Sequence, residues 1–309
     1  MAIIRSAVLA LAGLVLLSTI ASAQGKTPQK VKSGRLTING VSYYYEVYGK
    51  GEPLLLLHGG LGSIEMFGPS LPLLSKGRQV IAVDLEGHAR TPLGNRPYKL
   101  ESQGDDMAEL VKQLGHETVD VLGYSMGGGV ALRMAIQKPA SVRRLVLVST
   151  PFSDAGFYPG IRAQQTQISA ATAPMMKDTP MYKTYASLAP KPEDFPKLLD
   201  TLGGFMRQKY DWSAEVKTLK MPVMLVYGDS DMFLPEHEIS FYQLLGGGLQ
   251  DAGWQRETMS KNRLAILPDL THYDIFTSPR LAATAVPFLN GDSDAKSWAK
   301  QQQEQQAKK

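Results

Sequence analysis

Gly123-Tyr124-Ser125-Met126-Gly127-Gly128 follows a predicted strand over residues 118–122 and opens a predicted helix over residues 126–137. A Gly-x-Ser-x-Gly sequence in that context forms a tight turn, because its small residues let the flanking backbone pass closely and leave the serine hydroxyl exposed above the sheet edge. The start of the helix adds positive potential where a negatively charged oxygen would develop. The pattern alone is weak evidence, since glycine-rich loops contain it by chance. Its strand and helix context predicts that Ser125 is a nucleophile.

A serine hydroxyl is a weak nucleophile that needs a base, and the base needs an acid to orient it. Of the five histidines, His272 lies in a loop directly after a predicted strand, where parallel sheets place their functional groups. Asp231 also lies just past a predicted strand, and the chain order Ser125, Asp231, His272 is typical of hydrolases built on such sheets. We therefore predict His272 as the base and Asp231 as the acid. Asp229 is the alternative acid, although an aspartate there more commonly caps a turn.

A second glycine-rich segment, Leu57-His58-Gly59-Gly60-Leu61-Gly62-Ser63, follows the predicted strand over residues 53–57. A backbone N–H in such a turn can point at the oxyanion that forms during acyl transfer, and the residue after the nucleophile supplies the second N–H. We predict Gly60 as the first donor, with Leu61 as the alternative, and Met126 as the second donor. Each donor of this kind is worth roughly 2.7–4 kcal/mol of barrier.

The other four histidines are interpreted as structural. His58 and His88 are expected to bond to backbone within their loops, and His116 is expected in a surface loop. His237 is expected on a helix surface, with the mouth of the site as the alternative position.

The remaining chain alternates strands and helices, which predicts a mostly parallel, doubly wound α/β sheet. An antiparallel pair over residues 35–38 and 41–48, joined at Asn39-Gly40, opens it. The later strands are continuous apolar runs, typical of strands buried on both faces. The predicted strands after the opening pair cover residues 53–57, 79–84, 118–122, 144–149, 223–227 and 263–267, and the predicted helices cover 100–114, 126–137, 236–245 and 279–289.

Residues 151–216 break this alternation. The segment is rich in proline, has helical pieces between its prolines, and contains Met175, Met176, Met181 and Met206, whose side chains form adaptable apolar surface. We predict a helical cap that shapes a pocket over the sheet, inserted between a first core part, 35–150, and a second, 217–290. The alternative is structural filler with methionine in its core.

The two ends are expected to lie outside the fold. Residues 1–23 have one charge, Arg5, then an apolar stretch over 7–17 and the small-residue sequence Ala21-Ser22-Ala23, which together predict a secretory signal cleaved after Ala23. The mature protein would then be periplasmic or secreted, with no stable membrane span; an uncleaved anchor is the alternative. Residues 24–34 are predicted to be a linker. Residues 291–309 are rich in Gln and Lys and predict a polar tail, disordered or a solvated helix, with contact to anionic lipid or cell wall as a less favoured role.

Composition excludes several classes of protein. The chain has 309 residues, of which 43% are hydrophobic, and this content is too high for a disordered chain. Its formal net charge of +4 is too small to indicate a nucleic-acid partner. The absence of cysteine excludes disulfides, thiol catalysis and Cys-type zinc sites.

Five segments together resemble the α/β-hydrolase fold superfamily, in the subgroup with a helical cap inserted after the sixth strand. The resemblance covers about residues 35–290, and the matching segments are His58-Gly59-Gly60, Asp84-Leu85-Glu86-Gly87-His88, Gly123-Tyr124-Ser125-Met126-Gly127-Gly128, Gly228-Asp229-Ser230-Asp231 and His272. It implies a serine hydrolase with the triad Ser125, His272 and Asp231, oxyanion donors Gly60 and Met126, and no metal or cofactor. The methionine and proline content of the predicted cap indicates a small to medium apolar ester or lactone as the substrate. The alternatives are a haloperoxidase-like perhydrolase or carbon–carbon bond hydrolase with the same triad, and a non-catalytic binding protein.

The sequence also departs from the family pattern. Ala89 stands where the family often has glycine, and Glu86 stands where arginine is frequent. The segment 246–262 is long for the connection between the acid strand and the histidine strand. These departures concern the expected pocket rim and not the triad, and the serine at position 125 argues against the dehalogenase and epoxide-hydrolase branches, whose nucleophile is aspartate.

Overall fold

A computed structural model describes residues 29–291 and 296–307. Its strands are β1 Lys30–Ile38, β2 Val41–Tyr48, β3 Glu52–Leu57, β4 Arg78–Val83, β5 Val119–Tyr124, β6 Val142–Val148, β7 Val223–Ser230 and β8 Arg263–Thr271. They form one sheet in the order β1-β2-β4-β3-β5-β6-β7-β8. Strands β1 and β2 are antiparallel to their neighbours, and β3 to β8 run parallel. The predicted mostly parallel sheet is therefore confirmed.

Helices cover both faces of this sheet. They are α1 Leu71–Leu74, α2 Leu100–Gln113, α3 Met126–Gln137, α4 Pro159–Thr166, α5 Ala173–Met176, α6 Pro180–Leu188, α7 Phe195–Met206, α8 Ser213–Val216, α9 Pro235–Leu244, α10 Pro279–Asn290 and α11 Trp298–Gln306. One apolar core lies between the sheet and α2, α3 and α9, and a second lies between the opposite face and α1 and α10. Alternate residues of β3 enter opposite cores, since Leu55 and Leu57 belong to the first and Leu54 and Leu56 to the second. This alternation explains why the strand is apolar throughout.

Strands β1 and β8 extend furthest beyond their predicted bounds. Strand β1 begins at Lys30, so residues 30–34 of the predicted linker belong to the sheet, where Lys30 pairs with Tyr48. The sequence hid this part of the strand because it is an exposed edge with little apolar alternation. Strand β8 continues past its predicted end at residue 267 to Thr271, after an irregularity in its pairing with β7. This extension brings the sheet to within one residue of His272.

Between β6 and β7 the chain forms helices α4 to α8. Their buried side chains, Tyr185, Phe195, Leu198, Leu199 and Leu202, belong to the same apolar core as the α2 and α3 face of the sheet. An isolated bridge between Phe157 and Phe233 joins the segment to the loop after β7, and a second, between Ser153 and Asp211, joins the two ends of the segment itself. These helices are therefore packed onto the sheet and do not form a separate core.

The ends of the chain differ in what the structure describes. The predicted signal sequence and its cleavage site lie outside the described residues. Within residues 29–291 and 296–307, no helix is long and apolar enough to cross a membrane. In the polar tail the structure has helix α11, which corrects the expectation of a disordered tail in favour of the solvated helix. Ser297 caps this helix, Lys296 pairs with Glu304 at 2.6 Å, and the Trp298 ring lies 5.6 Å from that of Trp254.

Candidate active site

Ser125 occupies the turn between β5 and α3 in a conformation that is rare for a non-glycine residue, with φ 53° and ψ −119°. The turn is tight enough that a Cβ added at Gly123 would meet the backbone of Gly127, and one added at Gly127 would meet the backbone of His58. Glycine is therefore required at both positions. The arrangement leaves the Ser125 side chain half-buried at the wall of a cavity.

The structure brings Ser125, His272 and Asp231 together at the carboxyl ends of β5, β8 and β7. The Ser125 Oγ lies 3.0 Å from His272 Nε2, and His272 Nδ1 lies 2.9 Å from Asp231 Oδ1. Only 5% of His272 is exposed, and 1% of the Asp231 side chain is. Asp229, the alternative acid, is exposed and accepts a bond from the Leu270 N–H at 3.4 Å instead. The hydroxyl, the imidazole and the Asp231 carboxylate thus form one hydrogen-bonded series.

Asp231 has further donors that the sequence analysis missed. The Ser149 hydroxyl donates to its Oδ2 at 2.5 Å, the Gly228 N–H to the same oxygen at 3.3 Å, and the Met232 N–H to Oδ1 at 2.8 Å. Ser149 is fully buried at the end of β6 with a positive φ of 48°. A non-glycine residue held in that region is a signal of function, but it is visible only in the structure.

A buried carboxyl group also lies within electrostatic reach of Asp231. Burial, followed by the charge of Asp231, raises the pKa of Glu238 in α9 to about 8. Glu238 therefore adds no second full negative charge beside Asp231 at neutral pH.

The predicted oxyanion donors border the same space as Ser125. Gly60, Leu61 and Met126 all line the cavity, and a Cβ at Gly60 would lie 3.8 Å from Met126 Sδ. Met126 is the first residue of α3, so its N–H has no acceptor within the helix. The loop is closed by the Gly62 N–H, which donates to the Gly59 carbonyl at 3.2 Å. Gly60 and Leu61, the two candidate donor residues of this loop, both border the cavity.

His58 and His88 form a buried pair beneath this loop, with the backbone partners that the sequence analysis predicted. His58 Nδ1 lies 2.7 Å from the Gly59 carbonyl, while Nε2 accepts from the Leu85 N–H at 3.0 Å. This pattern requires a neutral ring with its proton assigned to Nδ1. Burial lowers the pKa of His58 to about 4, and burial followed by the nearby His58 lowers the pKa of His88 to about 3.

His237 is a correction to the sequence analysis, because it is buried and does not lie on the helix surface. Its ring stacks on Phe152 at 4.1 Å, and its Nε2 accepts from the Phe152 N–H at 3.2 Å. Glycine at 156 makes room for the ring, since a Cβ there would lie 2.5 Å from it. Burial lowers the pKa of His237 to about 4. The residue pattern of α9 gives no sign of this contact, because Phe152 and Gly156 lie in the chain segment that leads into α4. His116 lies half-buried in the loop after α2, away from the cavity.

The cavity above Ser125 has a volume of about 570 Å³, within the usual range for small-molecule sites. Helices α4, α6 and α7 supply part of its wall, and most of its lining side chains are apolar. Five are methionines, Met66, Met126, Met181, Met206 and Met232, and others are aromatic, including Phe157, Phe205, Trp212, Phe233 and Phe276.

The charged side chains at the cavity wall, His272 aside, have partners of opposite charge. Glu65 pairs with Arg90 at 2.6 Å, and Arg162 pairs with Asp154 at 3.1 Å. Among the described residues, no group of three His, Asp or Glu side chains is arranged to hold a metal ion. The described cavity wall is therefore mainly apolar, and the charges of Glu65 and Arg162 are balanced by their partners.

The departures from the family pattern have local explanations. Ala89 adopts a φ of 45°, a conformation that favours glycine, which explains why glycine is frequent there. Glu86 pairs with Arg96 at 2.5 Å and accepts from the Gly94 N–H at 3.0 Å. Within the described residues, the cavity is lined by neither Glu86 nor Ala89, nor by any residue of the segment 246–262.

Comparisons with known proteins agree with this architecture. Residues 52–172 match the family model described as alpha/beta hydrolase fold. Human serine hydrolase BPHL is 30% identical over 225 residues, which cover 68% of this chain and 74% of the human protein. The pimeloyl-(acyl-carrier protein) methyl ester esterase of Legionella pneumophila is 26% identical over 255 residues, covering 76% of this chain and 96% of the esterase.

The share of each protein that aligns with this chain differs between relatives. An uncharacterized protein of Mycobacterium tuberculosis is 36% identical over 114 residues, and the chain spans 33% of that protein's length. A solved carboxylesterase structure from Bacillus subtilis aligns with a TM-score of 0.63 at 18% identity, covering 86% of this chain and 93% of that one. The structural likeness covers most of the chain.

Proposed function

The chain belongs to the α/β-hydrolase family of enzymes, and we propose that it cleaves a carboxylic ester or lactone through an acyl-enzyme on Ser125. The observation that carries this proposal is the hydrogen-bonded series from the Ser125 hydroxyl through His272 to Asp231, at 3.0 and 2.9 Å. A hydroxyl within reach of an imidazole that a carboxylate orients is the arrangement that activates serine for attack on an acyl carbon.

The reaction follows from the position of each group. Ser125 Oγ attacks the acyl carbon while His272 Nε2 takes the hydroxyl proton, and the N–H groups of Gly60 and Met126 hold the resulting oxyanion. Collapse breaks the acyl–oxygen bond, and the alcohol leaves with the proton from His272. Water then attacks the acyl-enzyme and gives a proton to His272; the second collapse releases the acid and returns that proton to Ser125. The Asp231 carboxylate orients the ring and stabilises the imidazolium in both halves of the reaction.

The proposed substrate is a neutral, apolar ester or lactone. The methionine and aromatic lining and the ion-paired state of Glu65 and Arg162 support this choice, because an unpaired charge on the ligand would be desolvated without compensation. The sequence match to a methyl ester esterase supports an ester. In this proposal residues 151–216 serve as a cap that shapes the acyl pocket.

A panel of p-nitrophenyl esters of increasing acyl length, with one negatively charged acyl group, tests the proposal. We expect hydrolysis of the neutral esters and a loss of roughly 10⁴-fold or more in Ser125→Ala. Ser75→Ala is the control, since this buried hydroxyl donates to the Pro72 carbonyl and does not line the cavity. A Ser125→Ala rate equal to wild type would refute the nucleophile, and a preference for the charged ester would refute the apolar pocket.

We also propose that the protein is exported to the periplasm or the medium. The support is the sequence of residues 1–23, with its small-residue cleavage site at Ala21-Ser22-Ala23. Mass spectrometry of protein recovered outside the cytoplasm should find Gln24 as the first residue. An N-terminus at Met1 would contradict the proposal.

A further inference from the structure

We infer that Tyr124 positions the loop that carries His272 relative to the Ser125 nucleophile, an inference that rests on the proposed function. Tyr124 is the last residue of β5 and directly precedes Ser125. Its hydroxyl donates to the backbone carbonyl of His272 at 2.6 Å. The strand that carries the nucleophile is thereby bonded to the backbone of the base, 148 residues further along the chain.

The Tyr124 ring also packs against the other loops of the site. Its centroid lies 5.2 Å from the His272 ring and 4.8 Å from the Phe276 ring. The ring also contacts the glycine-rich loop after β3, which carries the predicted oxyanion donor Gly60. A Cβ at Gly59 would lie 2.7 Å from the Tyr124 ring, so glycine at this position allows the close approach. One side chain thus contacts the segments that supply the nucleophile, the base and the predicted oxyanion donor.

The His272 backbone needs such a bond because it lies just beyond the sheet. Strand β8 ends at Thr271, so the ladder with β7 stops one residue before the base. The approach to it is irregular, with Asp269 at a positive φ of 57°. A hydrogen bond to the His272 carbonyl fixes the backbone from which the imidazole projects, and small errors in that position weaken proton transfer strongly.

The Tyr124 hydroxyl is suited to this purpose. Only 4% of Tyr124 is exposed. Because the bond is buried, loss of the hydroxyl would leave the His272 carbonyl without this donor, which costs free energy. Burial, followed by the charge of Asp231, raises the pKa of Tyr124 well above its usual range. The group therefore stays a proton donor throughout the working pH range.

The test compares Tyr124→Phe with Tyr227→Phe. Tyr227 is the matched control because its hydroxyl is also buried and also donates to a backbone carbonyl, that of Thr150, at 2.7 Å. Phenylalanine keeps the ring in both variants, so both are expected to fold, with similar decreases in thermal midpoint. The measurements are kcat and KM for a neutral p-nitrophenyl ester and the rate of fluorophosphonate labelling.

We expect Tyr124→Phe to lower kcat about 10-fold, with KM within twofold of wild type and the labelling rate lowered by the same factor. Tyr227→Phe should keep kcat within twofold. Equal kcat values in the two variants would overturn the positioning inference, as would a Tyr124→Phe effect confined to KM or to thermal stability. Failure of the proposed function gives a different result, because wild-type protein would then neither hydrolyse the ester nor be labelled.

Discussion

His272 and the pair His58 and His88 are all buried close to the same site, yet their surroundings are of opposite kinds. His272 faces a hydroxyl on one side and a carboxylate on the other, at 3.0 and 2.9 Å. His58 faces a backbone carbonyl and a backbone N–H, and burial keeps both rings of the pair neutral. Burial therefore does not identify the base in this protein.

The two environments differ in how well each can stabilise a protonated imidazole ring. A proton taken up at His272 Nε2 would come from Ser125, and the Asp231 carboxylate would stabilise the cation that results. A proton taken up at His58 Nε2 would displace the bond from the Leu85 N–H and leave a charge without a counter-ion. The first arrangement is suited to catalysis and the second to holding the glycine-rich loop after β3 in place.

The largest expected effect comes from removing the carboxylate that distinguishes His272. In Asp231→Asn the side chain cannot stabilise an imidazolium and favours the wrong tautomer of the ring, so we expect kcat/KM to fall about 10⁴-fold. Ester hydrolysis by purified, folded variants measures this. The control is Asp229→Asn, whose exposed carboxylate does not contact His272 and whose activity should stay within twofold of wild type. A large loss in Asp229→Asn with little in Asp231→Asn would exchange the roles of the two acids.

The next largest effect is a decrease in the free energy of unfolding at acidic pH, caused by the neutral pair His58 and His88. The pKa values of His58 and His88 are lowered to about 4 and about 3 in the folded protein from ordinary values of 6.5. As the pH falls through 6.5 the unfolded chain takes up protons first, so the stabilisation is present well above pH 6.5 and is lost progressively as the pH falls through 4 to about 3. Together the two rings lower the free energy of unfolding by about 3 kcal/mol between pH 6.5 and pH 5.

Urea denaturation at pH 6.5 and pH 5.0 measures this difference. In His58→Gln the decrease between the two pH values should be smaller than in wild type by about 1.5 kcal/mol. His116→Gln, a substitution in a loop away from the pair, should show the wild-type decrease. His237, whose pKa is also lowered to about 4, contributes equally in all three proteins. If His58→Gln shows the full wild-type difference, the neutral pair is not the source of the acid sensitivity.

The smallest expected effect tests how finely the His272 environment is arranged. Removing the Ser149 hydroxyl takes away the 2.5 Å bond to Asp231 Oδ2 but leaves two N–H donors, so we expect kcat/KM to fall about 10-fold. Ser149→Ala and Ser149→Gly form a matched pair, because both lack the hydroxyl and only glycine relieves the positive φ. Similar activity losses in the two variants, with the glycine variant the more stable, would support the hydrogen bond. Wild-type activity in both would show that Ser149 has no part in holding Asp231.

The sequence predicted the features that depend on local pattern. The Gly123–Gly128 segment, the buried parallel strands and the histidine loop after β8 each have a signature within a few residues of the chain. The same local patterns predicted which three side chains the sheet brings together, because strand ends of a parallel sheet converge at one edge.

The features that sequence analysis missed depend on contacts between distant segments. Ser149 bonds to a residue 82 positions away, and Tyr124 to one 148 positions away, so neither contact has a local signature. His237 is buried by Phe152 and Gly156 from another element, and not by the helix to which it belongs. The polar first residues of β1, 30–34, belong to the sheet only because they pair with β2.

Covalent labelling with a fluorophosphonate probe, followed by mass spectrometry of the intact protein and its peptides, tests the central claim most directly. The Ser125–His272 pair predicts one probe per folded wild-type molecule, located on Ser125, and a labelling rate below about 1% of wild type in His272→Ala. His116→Gln, a substitution in a loop away from the cavity, should be labelled at a rate close to that of wild type. A folded wild-type protein without probe on Ser125, or His272→Ala labelled as fast as wild type, would contradict the account.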